Sequence, residues 1–300
     1  MNSYSVKLTQ EQAQKAKQMF EQSGAAFDKA PYSIWRAKTP SLQAVCYTSG
    51  KLLLQGKDVS AAAEKICSIA GIDFEIKEKS AVQQQIIEIP EKKYIGTDES
   101  GKGDFFGPLV AAGVQADGIN NKKFIDLGIK DSKLLDDARI LKMADFIKAN
   151  AVHSVIVIMP KKYNELYLKF NNLNKLLAWA HARAIENILE KSPCGYALAD
   201  KFGDESLIQN ALMTKGRNIV LKQIVRAEAD IAAAAASVLA RAEFVKRMNE
   251  LSARCGINLS KGVSPAVKKQ AEEFIKKYSY SRLNEIAKMH FKTAKELQMQ

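Results

Sequence analysis

Cysteine is scarce, and its placement argues against two kinds of scaffold. The 300 residues include four cysteines with no C-x-x-C pair among them: Cys46, Cys67, Cys194 and Cys255. Such wide scatter predicts neither a zinc site nor a disulfide framework. A reducing cytoplasm is the compartment that such thiols suit.

Histidine is scarcer still. The chain has three histidines: His153, His181 and His290. None has the spacing of a metal ligand, and each is interpreted as a structural or surface residue. Hydrolysis by a Ser-His-Asp arrangement therefore has little support, and chemistry based on carboxylates and a metal has more.

Long apolar segments are absent as well. No run approaches the roughly 20 residues that span a bilayer, and the polar residues 1–9 do not resemble a signal peptide. Basic residues outnumber acidic ones by 45 to 33, which gives a net charge of +12. The sequence therefore predicts a cytoplasmic protein with no membrane partner, and the charge favours a polyanion such as nucleic acid.

The chain is long for one domain and comfortable for two. We expect a small α+β domain over residues 1–88, ending in a polar linker, and an α/β domain over residues 89–300. The first should contain a helix from Thr9 to about Gln22, three strands near 32–36, 43–48 and 51–55, and a helix over 58–70.

The second domain alternates strand and helix patterns. One long helix is predicted from about Tyr163 to Leu189, and an alanine-rich helix over 231–241 should pack closely on the sheet. The strand candidates are 94–97, 108–114, 154–158, 195–199 and 218–225.

Residues 98–107, Asp-Glu-Ser-Gly-Lys-Gly-Asp-Phe-Phe-Gly, are the most informative stretch. Asp98 and Glu99 come where a predicted strand runs out, and such ends are fixed by the sheet yet open to solvent. Lys102 lies between two glycines, so bare backbone N–H groups and one cation could approach an anion. Carboxylates for a hard metal beside donors for a phosphate indicate phosphodiester chemistry.

Two other interpretations of this stretch remain. Asp and Gly are common in ordinary solvated turns. Residues 96–102 also fit the first seven positions of a phosphate-binding P-loop, but Gly103 stands where that motif requires Ser or Thr. Two carboxylates in such a loop would also repel phosphate.

Three further acidic residues follow predicted strands. Asp200 closes the strand over 195–199, while Glu228 and Asp230 lie between the last strand and the alanine-rich helix. Each alone is compatible with a helix cap or a solvated loop. Their recurrence after strands of one sheet indicates that they converge.

Residues 98–110 closely resemble the signature of bacterial ribonuclease HIII, a type 2 ribonuclease H. Other segments that match this family are 131–133, 199–202, 227–241 and 287–291. The resemblance covers the second domain and implies a ribonuclease H-like mixed sheet flanked by helices. It also implies that residues 1–88 form a substrate-binding domain similar to the TATA-box-binding protein fold.

The resemblance implies an endonuclease that hydrolyses the RNA strand of RNA–DNA hybrids, with Mg²⁺ or Mn²⁺ as its cofactor, leaving 5′-phosphate and 3′-hydroxyl ends. It implies Asp98, Glu99 and Asp200 as metal ligands, and these three with Glu228 as the catalytic set. Spacing alone leaves Asp230 open as the fourth carboxylate, because residues two apart on a strand face the same side. The family pattern favours Glu228.

The same resemblance implies that the glycine turn lies in the minor groove and senses the ribose 2′-hydroxyl. The residues expected to bind substrate are Ser100, Gly101, Lys102, Gly103, Ser132 and Lys133. Ser132 is an equally good helix N-cap. We expect a monomer with no small-molecule cofactor other than the metal.

The alternative function is that of a non-catalytic nucleic-acid-binding protein. In such a protein the acidic residues would only cap helices and form turns.

The sibling enzyme ribonuclease HII has a Lys-Gly-Tyr stretch whose tyrosine recognises a single ribonucleotide in DNA. The corresponding residues here are Lys261, Gly262 and Val263. Because valine offers no stacking face, a duplex with one ribonucleotide should be cut poorly.

Overall fold

The computed structural model describes residues 2–30, 33–72, 93–129, 135–204, 206–225 and 227–298. The chain divides into two compact units, Met1–Gln85 and Ile86–Gln300. The predicted boundary after residue 88 and the predicted linker lie outside the described residues. Within the described ranges, no helix has both the length and the apolar character needed to cross a membrane.

The first unit is an antiparallel sheet with two helices. Its strands are β1 (Asn2–Lys7), β2 (Ala26–Asp28), β3 (Ser33–Lys38), β4 (Leu42–Tyr47) and β5 (Lys51–Gly56), in the order β1-β5-β4-β3-β2. The helices are α1 (Gln10–Gln22) and α2 (Val59–Ala70). Both helices pack their apolar stripes on one face of the sheet, around Trp35 and Leu54.

Local sequence explains where α1 begins. The Thr9 side chain accepts a hydrogen bond from the Gln12 backbone N–H, and the Gln12 side chain accepts one from the Thr9 N–H. This capping box satisfies two backbone donors that a helix start would leave unpaired. The helix boundaries predicted for this unit are thus close to those observed.

The second unit is a mixed sheet with helices on both faces. Its strands are β6 (Tyr94–Ser100), β7 (Leu109–Ala116), β8 (His153–Ile158), β9 (Tyr196–Asp200) and β10 (Val220–Ile224). They lie in the order β10-β9-β6-β7-β8. The strands β6, β7 and β8 pair antiparallel, whereas β9 and β10 run parallel to β6.

The helices of this unit, within the described residues, are α3 (Asn120–Asp126), α4 (Asp137–Asn150), α5 (Pro160–Phe170), α6 (Leu173–Lys191), α7 (Ser206–Ala211), α8 (Ile231–Cys255), α9 (Pro265–Tyr278) and α10 (Lys292–Gln298). Helix α6 packs on one face of the central strands and the alanine-rich α8 on the other. A Cβ on Gly96 of β6 would lie 2.2 Å from the Ala233 backbone nitrogen. The close helix–strand packing therefore depends on small residues on both elements.

The predicted fold class is confirmed: a mixed sheet flanked by helices follows a small α+β unit. Two details were wrong. Strands β1 and β2 were not predicted, and the helix expected from Tyr163 to Leu189 is two helices. Asn171 ends α5 in a left-handed conformation, with φ 48°, and Asn172 caps α6 with its side chain.

Candidate active site

The parallel pairing of β6 and β9 brings three of the predicted carboxylates to one edge of the sheet. Thr97 of β6 lies opposite Ala199 of β9. The next residues, Asp98 and Asp200, therefore follow on the same face of neighbouring strands. Asp98 and Glu99 remain paired with β7, so they belong to the strand rather than to the turn. A P-loop is excluded, because residues 94–100 are strand.

Asp98 lies in a setting that disfavours its charge. Its Oδ1 accepts a hydrogen bond from the Glu99 backbone N–H at 2.8 Å, and the Ser237 hydroxyl of α8 donates to the same carboxylate. Burial first, and then the charge of Glu99, raise the pKa of Asp98 to about 6. Cation binding at Asp98 must therefore compete with a proton below about pH 6.

Glu99 has the opposite balance. Burial alone would raise the pKa of its carboxyl, but the hydrogen bond from His181 and the positive charge of Lys102 hold the pKa below its ordinary value. The His181 Nε2 lies 3.1 Å from Glu99 Oε2, and the Lys102 Nζ lies 3.4 Å from Glu99 Oε1. As pH falls, Glu99 is therefore the carboxylate of the pair that keeps its charge longer.

His181 is the contact that sequence reasoning missed. It was interpreted as structural or surface, and it is completely buried, but its Nδ1 also lies 2.9 Å from Thr97 Oγ1. Thr97 and Glu99 are two residues apart on β6 and so share a face. Nothing in the sequence pairs that face with position 181 of a distant helix.

The acidic residues after β10 separate by environment. Residues 227–229 form a turn of 3₁₀ helix, so the premise that Glu228 and Asp230 face the same side of a strand was wrong. Asp230 caps α8: Oδ1 accepts from Ala232 and Ala233 N–H, and Oδ2 accepts from the Tyr94 hydroxyl at 2.7 Å. The side chain of Glu228 lies outside the described part of the structure.

The backbone before α8 is tied to the sheet edge. The Ala227 N–H donates to Asp200 Oδ1 at 3.1 Å. This bond holds the turn that contains residue 228 directly beside the end of β9. The backbone of residue 228 therefore lies close to Asp200.

The two glycines beside Lys102, Gly101 and Gly103, differ in what a side chain at their position would contact. Gly101 has φ +88°, and a Cβ there would lie 2.2 Å from the Pro108 carbonyl oxygen. A Cβ on Gly103 would meet no atom within 4 Å. The fold therefore requires Gly101, whereas Gly103 leaves bare backbone facing open space where a ligand could approach.

The residues after the turn are held by the C-terminal part of the chain. The buried Lys288 Nζ donates to the carbonyl oxygens of Asp104 and Gly107, each at 2.8 Å. Gly262 exchanges hydrogen bonds with the same stretch, donating to the Asp104 side chain and accepting from the Phe105 N–H. Burial lowers the pKa of Lys288 to about 7.

Not every predicted binding residue is placed. Ser100 ends β6 beside the turn, and the Lys102 Nζ lies 5.4 Å from the centre of the Phe202 ring as well as near Glu99. Ser132 and Lys133 lie outside the described residues. The structure thus brings Ser100 and residues 101–103 to the acidic edge and leaves the other two untested.

The carboxylates fit a hard divalent cation in kind. Asp98, Glu99 and Asp200 offer oxygen ligands at adjacent strand ends, which suits Mg²⁺ or Mn²⁺. Among the side chains that the structure describes, no group of three or more His, Cys, Asp or Glu residues is close enough to hold a metal ion. The donors are present, but these side chains alone do not form a complete coordination shell.

Two family models match the chain. The model for ribonuclease HII matches residues 95–294, and one for a domain of unknown function (DUF3378) matches residues 4–71. The ribonuclease HIII of Protochlamydia amoebophila (strain UWE25) is 40% identical over 281 residues, covering 94% of this chain and 92% of that protein. The ribonuclease HIII of Chlamydia felis (strain Fe/C-56) is 40% identical over 287 residues, with the same coverage.

Solved structures agree. Bst RNase HIII in complex with Mn²⁺ is similar with a TM-score of 0.66 and 29% identity, covering 99% of this chain and 98% of that one. The Aquifex aeolicus RNase H3 gives a TM-score of 0.56 and 28% identity, covering 96% of this chain and 99% of that one. The mixed sheet with its acidic edge is thus the framework of a type 2 ribonuclease H.

The chain belongs to the ribonuclease HIII family. By that membership the protein is an enzyme of the ribonuclease H type. The alternative of a non-catalytic nucleic-acid-binding protein is therefore wrong.

Proposed function

We propose that this enzyme hydrolyses the RNA strand of RNA–DNA hybrids at a centre of two divalent cations, and that it leaves 5′-phosphate and 3′-hydroxyl ends. The observation that carries the proposal is the position of Asp98, Glu99 and Asp200 at the ends of two adjacent parallel strands, β6 and β9, beside the open backbone of Gly103. The Mn²⁺ complex of Bst RNase HIII supports Mn²⁺ as a cofactor, and the carboxylate ligands suit Mg²⁺ as well.

Asp98, Glu99 and Asp200 would hold the cations, and Glu228 would complete the catalytic set. Asp230 is a weaker candidate than Glu228, because both of its oxygens are occupied by the α8 cap and Tyr94. Bound cations would supply a deprotonated water and stabilise the leaving 3′-oxygen. The chain itself orients Glu99 through a hydrogen bond from His181 of α6, and Asp98 through one from Ser237 of α8.

The glycine turn would select the substrate. The backbone of residues 101–103 enters the minor groove and senses the ribose 2′-hydroxyl, and the open approach to Gly103 supports this role. Lys102 contacts a backbone phosphate next to the metal centre, and its proximity to Glu99 is consistent with that position. Ser100, Ser132 and Lys133 add further contacts.

Residues 1–88 would form a second contact with the hybrid. The two helices cover one face of the five-stranded sheet. The alternation of side chains puts Lys7, Lys38 and Lys51 on the opposite face, where all three are exposed. A sheet face with several lysines suits a phosphate backbone.

The direct test uses an RNA–DNA hybrid labelled on the RNA strand, with RNA–RNA and DNA–DNA duplexes as controls. Cleavage of the hybrid alone is expected with Mg²⁺ or Mn²⁺, and none with EDTA. Ligation of the fragments and labelling of their ends distinguish 5′-phosphate from 5′-hydroxyl products. Persistent cutting in EDTA, or 3′-phosphate ends, would contradict the two-cation proposal.

The substrate should be a run of ribonucleotides rather than a single one. Gly262 is hydrogen-bonded to the stretch after the glycine turn, so the neighbouring Val263 lies close to the expected duplex. Valine cannot stack on a sugar at a junction. We therefore expect poor cutting of a duplex with one embedded ribonucleotide and good cutting of runs of four or more. Equal cutting rates would show that a residue other than Val263 recognises the junction between ribonucleotide and DNA.

We further propose that the enzyme works in the cytoplasm as a monomer. The absence of a disulfide among Cys46, Cys67, Cys194 and Cys255, all of which the structure describes, supports a reducing compartment. Sedimentation equilibrium of the full-length chain tests the oligomeric state, and a dimer mass would contradict this part of the proposal.

A further inference from the structure

His181 is a completely buried polar side chain that connects two residues of β6. Its Nδ1 lies 2.9 Å from the hydroxyl of Thr97, which is also fully buried, and its Nε2 lies 3.1 Å from Oε2 of Glu99. Both ring nitrogens are therefore engaged, and the ring cannot turn without losing a contact. Through this side chain, helix α6 is hydrogen-bonded to the end of β6 that carries Glu99.

The direction of these hydrogen bonds follows from the charge of Glu99. An ionised carboxylate can only accept, so Nε2 of His181 carries the ring hydrogen and donates it to Glu99. Nδ1 of the neutral ring is then an acceptor and takes the proton of the Thr97 hydroxyl at 2.9 Å; the other acceptor near that hydroxyl, the Leu198 carbonyl oxygen, is at 3.5 Å. The chain of donors therefore runs from Thr97 to His181 to Glu99.

Glu99 has a competing partner. The Lys102 Nζ lies 3.4 Å from Oε1, and this side chain is 38% exposed, so the lysine is free to move toward a phosphate. The His181 donor is fixed in the core and holds the other oxygen. Without that donor the Glu99 carboxylate could rotate toward Lys102.

We infer that His181 is a positioning residue for the metal centre: the Thr97–His181 pair fixes the Glu99 carboxylate in the orientation that binds the cation. The inference rests on the proposed function, because it takes Glu99 as a ligand. Hydrogen bonds from buried partners to metal-binding side chains commonly strengthen metal affinity by about 10- to 100-fold. The effect on hybrid binding should be small, because His181 has no route to the duplex except through Glu99.

The test is a titration of the full-length protein with Mn²⁺ alone, with free Mn²⁺ counted by electron paramagnetic resonance. His181→Asn keeps a polar group near Nδ1 but removes the donor at Nε2, and it should weaken Mn²⁺ binding by about 10- to 100-fold. His181→Gln puts an amide N–H near the Nε2 position and should retain most of the affinity. His153→Asn, on β8, is the matched control and should bind as the wild type does.

Kinetics add a readout that a packing defect would not give. For His181→Asn, kcat should fall at low Mn²⁺ and recover as Mn²⁺ is raised, while the KM for hybrid stays the same. A loss that excess Mn²⁺ does not restore would overturn the inference. If His181→Asn fails to fold, Thr97→Val replaces it, since it removes the partner of Nδ1 while keeping the side-chain volume.

Two binding results would also contradict the inference: a folded His181→Asn that binds Mn²⁺ like the wild type, or a His181→Gln that binds Mn²⁺ as weakly as His181→Asn. Asp98→Asn separates this failure from failure of the proposed function. If Asp98→Asn also leaves Mn²⁺ binding unchanged, the proposed metal site is wrong. If Asp98→Asn abolishes binding and His181→Asn does not alter it, only the role of His181 is wrong.

Discussion

Asp98 and Glu99 are adjacent in the chain, but their pKa values are shifted in opposite directions. The pKa of Asp98 is raised to about 6 by burial and by Glu99, whereas hydrogen bonds and positive charge lower the pKa of Glu99. Successive residues of a strand face opposite sides, so α8 surrounds one carboxylate and α6 the other. This difference makes stability experiments informative without any substrate.

Asp98→Asn should stabilise the protein at neutral pH in EDTA. Folded Asp98 keeps its proton up to about pH 6, against 3.8 for the ordinary carboxyl. The stability that this group contributes is therefore lost as pH rises from about 4 to 6. Urea unfolding at pH 7.5 should show a gain on the order of 3 kcal/mol for the variant, and the gain should vanish near pH 4.

Glu99→Gln is the matched comparison and should behave in the opposite sense. A lowered folded pKa contributes stability above the ordinary carboxyl pKa, and that contribution is lost as pH falls through the folded value. Glu99→Gln should therefore be destabilising at pH 7.5. Two variants with the same pH-independent change would contradict the assigned environments.

The fourth carboxylate is decided by activity and stability together. Glu228→Gln should lose at least about 100-fold in kcat, as expected for removal of a catalytic carboxylate beside the metal centre, with little change in unfolding. Asp230→Asn should keep most activity, since asparagine caps helices well, while Asp230→Ala should cost about 1 to 2 kcal/mol. The reverse ranking of kcat for Glu228→Gln and Asp230→Asn would transfer the role to Asp230.

At the scale of elements, the glycine turn separates a folding requirement from a binding one. Gly103→Ala should fold normally, because a Cβ meets nothing there, but should raise the KM for hybrid by about tenfold or more by blocking close approach. Gly101→Ala should instead lower the free energy of unfolding by more than about 2 kcal/mol, through its positive φ and the contact with Pro108. An unchanged KM in Gly103→Ala would rule out the turn as the reader of the minor groove.

The sequence predicted the elements whose signals are local. Strands β6 and β9 are short apolar runs that end in acidic residues, and Thr9 and Gln12 form the capping box of α1. Strand β1 escaped prediction, because only Tyr4 and Val6 mark its buried face. The break between α5 and α6 escaped it too, since it depends on the left-handed conformation of Asn171.

The site was predictable only in part, for the same reason. Asp98, Glu99 and Asp200 follow strands, and parallel strands end at one edge, so their convergence could be anticipated. His181 and Lys288 could not be placed, because their partners lie 82 and 184 residues away in the chain. Contacts of that range are set by packing of whole elements rather than by local pattern.

At the scale of the whole molecule, the two compact units suggest that the first contributes to substrate binding and the second carries out cleavage. Deleting residues 1–88 should raise the Kd for hybrid by at least about 100-fold, because one of two tethered contacts is lost. The remaining chain should stay folded and still cut hybrid at high enzyme concentration, since the acidic edge belongs entirely to the second unit. A truncated protein with unchanged affinity would show that the first unit does not bind the substrate.

The most direct test of the account measures cutting and binding of the same hybrid by Asp98→Asn. Because Asp98 is assigned to the metal and not to the duplex, cleavage in Mg²⁺ or Mn²⁺ should disappear, while the Kd for hybrid should stay within a few-fold of the wild type. Near-normal turnover by the folded variant would contradict the assignment of the acidic edge as the catalytic centre.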